Sequence, residues 1–114
     1  DPFVQYNPEH AYRAGRETGD RQLIEKARKP FAVYDPVSAL WLGIDAGDIR
    51  LVTDVGWRLL KSHPPLAYKA GVYLHDNELL EYARDAFVKY NPVYACRKGT
   101  TLGDNKLVIK AKKE

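Results

Sequence analysis

Five residues recur at intervals of 28 along this 114-residue chain, in register and without a gap. They are a proline (Pro8, Pro36, Pro64, Pro92), an alanine (Ala11, Ala39, Ala67, Ala95), a glycine (Gly15, Gly43, Gly71, Gly99), an aspartate (Asp20, Asp48, Asp76, Asp104) and a leucine (Leu23, Leu51, Leu79, Leu107). A period of this size marks a stack of small supersecondary units, none of which can bury its apolar face alone. The repeats run 6–33, 34–61, 62–89 and 90–114, and the opening "DPFVQ" at 1–5 aligns with the end of a repeat, as in "DAFVK" at 85–89. The expectation is a single repeat domain over 1–114, with a partial repeat at 1–5, belonging to a longer array.

The repeated residues spell a helix, a tight turn and a second helix. Asn7, Asp35 and Asn91 stand before the repeated proline. Their side-chain oxygens can accept an orphan N–H at a helix start, where proline has no N–H to leave unpaired. His63 holds that place in the third repeat and is a weaker cap. The first helix, Pro8 to near Thr18 in the first repeat, ends at Gly19, Gly47 or Gly103, which supply the left-handed residue of a helix C-terminus. His75 replaces that glycine in the third repeat and is expected to be strained. The aspartate that follows can cap a second helix at once. That helix carries an apolar stripe, Leu23, Ile24, Ala27 or Leu79, Leu80, Ala83, Phe87. Ala11 and Gly15, four apart, share a face of the first helix and let a neighbouring backbone come close. Tyr6, Tyr34 and Tyr90, just before the caps, are expected to seal the joints between repeats. The fold class is therefore all-α, an α-solenoid of four 28-residue helix-turn-helix repeats.

The run Gly19-Asp20-x-x-Leu23-Ile24-x-x-Ala27 resembles the second half of an ankyrin repeat, and Gly47-Asp48-x-x-Leu51-Val52 and Gly103-Asp104-x-x-Leu107-Val108 repeat the likeness. Ankyrin repeats are about 33 residues long with a Thr-Pro-Leu-His start. The present repeats are shorter and lack that start, so the β-hairpin finger between repeats is expected to be lost or shortened. Shortened ankyrin-like arrays of this kind occur in proteins of large DNA viruses and protists. Tetratricopeptide repeats, about 34 residues long, fit less well. What the ankyrin resemblance implies is protein–protein binding.

Nothing in the sequence points to chemistry. His10, His63 and His75 fall at three different repeat positions, without Cys or carboxylate partners at metal-ligand spacing. Cys96 stands where the other repeats have Tyr12, Leu40 and Tyr68, and reads as a partly buried packing residue. The glycines do not cluster into a phosphate-binding loop. No enzyme, metal, cofactor or small-molecule substrate is expected. No apolar run approaches the roughly 20 residues that would span a bilayer. A single cysteine fits a reducing compartment, so the expected location is intracellular, in the cytoplasm.

If stacking explains the invariant positions, binding belongs to the variable ones. Two such positions on the first helix, four apart and opposite the Ala/Gly face, hold Arg13 and Glu17, Trp41 and Asp45, Lys69 and Tyr73, and Arg97 and Thr101. Stacked, they would form a stripe with two central aromatics flanked by charge, and Trp, Tyr and Arg dominate interface hot spots. Trp41 could instead fill the core between repeats. The net charge of the chain is +3, and the four repeats carry +2, −1, −1 and +4. The basic last repeat reads as a solvated cap. The alternative is a nucleic-acid-binding surface centred there, which the two slightly acidic middle repeats oppose as a continuous phosphate track. The expected partner is another protein. A purely structural segment of a larger, possibly viral, assembly is the third reading.

Overall fold

The computed structural model describes residues 2–114, with side chains from Val4 onward; Asp1, the first residue of the partial repeat, lies outside them. The described residues are all-α: α1 (Pro2–Tyr6), α2 (Pro8–Thr18), α3 (Arg21–Tyr34), α4 (Pro36–Ala46), α5 (Ile49–Ser62), α6 (Pro64–Leu74), α7 (Asn77–Tyr90), α8 (Pro92–Leu102) and α9 (Asn105–Lys112), with no strand among them. Single residues, Asp35, His63 and Asn91, separate α3 from α4, α5 from α6 and α7 from α8. The chain forms two compact bodies, one up to Val55 and one from Gly56, the boundary falling inside α5.

Local chemistry accounts for the helix ends. Asn7, Asp35 and Asn91 accept the N–H groups of His10, Ser38 and Tyr94 at 3.0–3.1 Å, while His63 makes no side-chain cap. At the other end of each first helix, Gly19, Gly47 and Gly103 are left-handed, with φ of 72°, 68° and 70°. His75 is the one non-glycine with positive φ among the described residues, at 52°, and α6 closes there through the same turn. The aspartate after each left-handed residue serves two helices. Its N–H closes the turn onto the carbonyl of Gly15, Gly43, Gly71 or Gly99 at 2.8–3.1 Å. Its carboxylate then accepts the N–H of Leu23, Leu51, Leu79 or Leu107 at 3.1–3.2 Å, starting the next helix. Each cap of this type is worth about 1 kcal/mol.

Within each hairpin the close approach falls at the repeated glycine. A Cβ added at Gly15 would lie 2.9 Å from Ile24 Cγ1, at Gly43 2.9 Å from Val52 Cγ2, at Gly71 2.9 Å from Leu80 Cδ2 and at Gly99 2.8 Å from Val108 Cγ2. Ala11, Ala39, Ala67 and Ala95, one turn earlier, are fully buried, as are Phe31, Leu51, Leu59, Leu79, Phe87 and Leu107.

One packing expectation fails. Tyr6, Tyr34 and Tyr90 are 86%, 70% and 60% exposed and seal nothing. As the last residue of its helix, each projects its ring past the final turn into solvent. Phe31 and Phe87, three residues earlier on the apolar stripe, take the buried place, with their rings 5.4 and 5.5 Å from those of Tyr12 and Tyr68.

Candidate interaction surface

All eight stripe residues are exposed: Arg13 and Glu17 on α2, Trp41 and Asp45 on α4, Lys69 and Tyr73 on α6, Arg97 and Thr101 on α8. Trp41 retains 49% of its surface, so it does not fill a core. Within the first body, Arg13, Glu17 and Asp45 line one groove of about 160 Å³ with Leu42 and Ala46. Arg13 is held by Glu9 one turn earlier, Nε to Oε2 at 3.0 Å. Within the second body, Arg97 and Thr101 border a larger open groove of about 750 Å³, floored by Pro92, Val93, Cys96 and Ala111. Cys96 is half-buried there. The three histidines are all exposed, and among the described residues no group of three or more His, Cys, Asp or Glu could hold a metal ion. No helix is long and apolar enough to cross a membrane among those residues.

Two polar clusters lie beneath this surface that sequence reasoning did not find. In the first body, Tyr12 Oη donates to Asp48 Oδ2 at 2.7 Å, and Arg28 Nε donates to the same carboxylate at 2.9 Å. The second body repeats the arrangement 56 residues later. Tyr68 Oη donates to Asp104 Oδ2 at 2.7 Å and Arg84 Nε to the same oxygen at 2.9 Å. Each carboxylate is thus shared among a helix cap, a phenol and a guanidinium, and joins one hairpin to the next. Burial pushes the Asp48 carboxyl up. The hydrogen bonds from Arg28, Tyr12 and the Leu51 N–H, with the charge of Arg28, outweigh it and hold the group below the usual carboxylate range. Asp104 is lowered against the same burial by Tyr68, Arg84 and the Leu107 N–H. Burial raises both phenols, and the adjoining carboxylates raise them further. Arg16 adds a bond to the carbonyl of Ala46 at 2.9 Å. Among the described residues no buried side-chain nitrogen or oxygen lacks a partner, so every polar atom buried in these clusters is hydrogen-bonded.

The signal for them was present at double the period. Tyr12 and Tyr68, Arg28 and Arg84, and Phe31 and Phe87 are each 56 apart, and the intervening places hold Leu40, Gly56 and Leu59. Alignment on residues common to all four repeats passes over residues shared by alternate ones.

Comparison with known proteins adds no identity: no family model matches this chain, and neither a curated protein nor a solved structure matches it.

Proposed function

We propose that the chain is a non-enzymatic protein-binding module, an α-solenoid of four 28-residue ankyrin-like repeats whose outward first-helix positions carry the contacts. The observation behind this reading is that all eight variable positions, Trp41 and Tyr73 included, are exposed while the invariant ones are spent on caps and packing. Trp41, half-exposed, accompanies the exposed Arg13 in the first body, and exposed Tyr73 accompanies Lys69 and Arg97 in the second, so each body offers aromatic area and positive charge. The test replaces Trp41 and Tyr73 by Ala. Stability is expected to move by no more than about 1 kcal/mol per substitution, with loss of a partner recovered by the wild-type chain under the same conditions. If the double variant unfolds instead, the surface assignment is wrong.

A second reading, nucleic-acid binding through the last repeat, draws on exposed Lys106, Lys112 and Lys113. Phosphate contacts would weaken steeply with added salt. Titration of random-sequence DNA and RNA at two salt concentrations separates the readings, since absence of any salt-dependent affinity eliminates this one.

A further inference from the structure

Among the described residues His75 is the one left-handed residue that is not glycine, at φ 52°. It carries backbone strain that Gly19, Gly47 and Gly103 escape, and strain of this kind collects at binding sites. The joint beside it departs from its counterpart in a second way. In the first body Arg16 reaches from α2 to the carbonyl of Ala46, Nη2 to O at 2.9 Å, and bridges the two hairpins there. In the second body Val72 and Leu102 hold those two places, and a valine side chain has no donor to offer.

A cleft of about 430 Å³ opens at this point between α6–α7 and α8–α9, of a size ordinary for small-molecule sites. Both walls are consecutive hairpins of one body. Val72, Leu80 and Leu102 give the cleft its apolar lining, and His75, Arg84 and Lys106 bring basic groups to it. The carboxylate on that lining, Asp104, is already shared by the Tyr68 hydroxyl, Arg84 and the Leu107 N–H. Glu78 and Glu81 line a separate groove that shares Arg84 and Lys106 with it. In the first body Glu17 and Asp45 stand beside Arg16, and their counterparts here are the uncharged Tyr73 and Thr101. The acids that suit a cation at this joint are therefore missing from the second body.

We propose that this cleft binds a small organic anion, its oxyanion head met by Lys106 and His75 and its apolar stem laid against Val72, Leu80 and Leu102. The site is independent of the outward stripe of the first helices.

Titration of the isotope-labelled full chain with phenyl phosphate, followed by amide NMR shifts, tests the proposal. Saturable shifts are expected around His75 and residues 102–106 at about millimolar concentration. No saturable shift, or shifts centred elsewhere, overturns it. Inorganic phosphate should bind more weakly for want of a stem, and equal affinity overturns the apolar part of the assignment. Benzylamine should leave these amides unmoved, and binding as tight as that of phenyl phosphate overturns the choice of charge. Lys106→Glu should weaken phenyl phosphate about tenfold with the thermal melt unchanged; unaltered affinity overturns the role of Lys106. Val72→Arg restores the arm of the first body and should close the cleft, so binding that survives it overturns the location. His75→Gly should raise the melting temperature and weaken binding together, and a rise without weakening removes His75 from the site.

Discussion

Arg28 and Gly56 stand at the same place in successive repeats and make opposite kinds of joint. Arg28 reaches a carboxylate on the following hairpin, a side chain only 2% exposed and capping its own helix at the same time. At Gly56 there is no space for any such side chain. An added Cβ would lie 2.8 Å from Leu79 Cδ2 and 3.0 Å from Ala70 Cβ, so backbone packs directly on apolar atoms. The polar joint then returns at Arg84, whose partner Asp104 is 13% exposed. A buried charge is tolerated only when paired and hydrogen-bonded, and close apolar packing needs no partner at all. The alternation gives each body one joint that is specific in geometry, while Gly56 marks a place where shape alone suffices.

The largest expected effect tests the polar joint. Asp48→Ala removes a cap and leaves the Arg28 guanidinium and the Tyr12 phenol without their acceptor, for a loss of about 3–5 kcal/mol in urea unfolding. Asp104→Ala, at the more exposed copy, should cost less, about 2–3 kcal/mol. Amide hydrogen exchange should place the first loss in residues up to Val55 and the second in those from Gly56. Equal losses would remove the distinction drawn from burial.

Gly56→Ala tests the apolar joint. Two fixed apolar neighbours must shift to admit the methyl, and a loss of about 1–3 kcal/mol is expected by thermal or urea unfolding. A neutral result would show that the close approach relaxes freely.

Acid should find the polar joints first. Both clasp aspartates are held below the ordinary carboxylate range in the folded protein. Between their unfolded value, about 3.9, and their lower folded values the unfolded chain binds more protons. The contribution is present above that unfolded value and is lost as pH falls through the folded pKa. Stability measured against pH should fall steeply there in the wild type and less steeply in Asp48→Asn, and an unchanged acid slope would contradict the assignment.

The smallest effect is expected at Asp76, the repeat counterpart of the clasp aspartates. It caps Leu79, and Leu40 and Gly56 stand where a tyrosine and an arginine would have to be. Asn caps as well as Asp, so Asp76→Asn should change stability by less than about 0.5 kcal/mol. A loss like that of Asp48 would show that the cap, not the clasp, carries the energy.

The helix ends were legible in the sequence because each depends on groups a few residues apart. Asn or Asp before Pro, Gly before Asp and a following Leu place a cap, a left-handed turn and a second cap within one local segment, and those atoms meet as expected. His75 at φ 52° shows the same locality, since the turn is made even where the residue suits it poorly. Seven of the eight variable positions were legible as exposed for the same reason, their side of a helix following from its period, whereas for Trp41 the sequence left a core place open and the structure decided. The tyrosines were not. Tyr12 and Tyr90 are the same residue type on helices of the same chain, yet one is 1% exposed and the other 60%. What separates them is an aspartate 36 residues beyond Tyr12, brought to its hydroxyl only when two hairpins pack. Sequence alone thus determined where helices begin, turn and end, because short-range hydrogen bonding decides that. Which aromatics are buried, and which aspartates bear charge across a joint, was decided by tertiary packing, which alone brings distant groups within bonding distance.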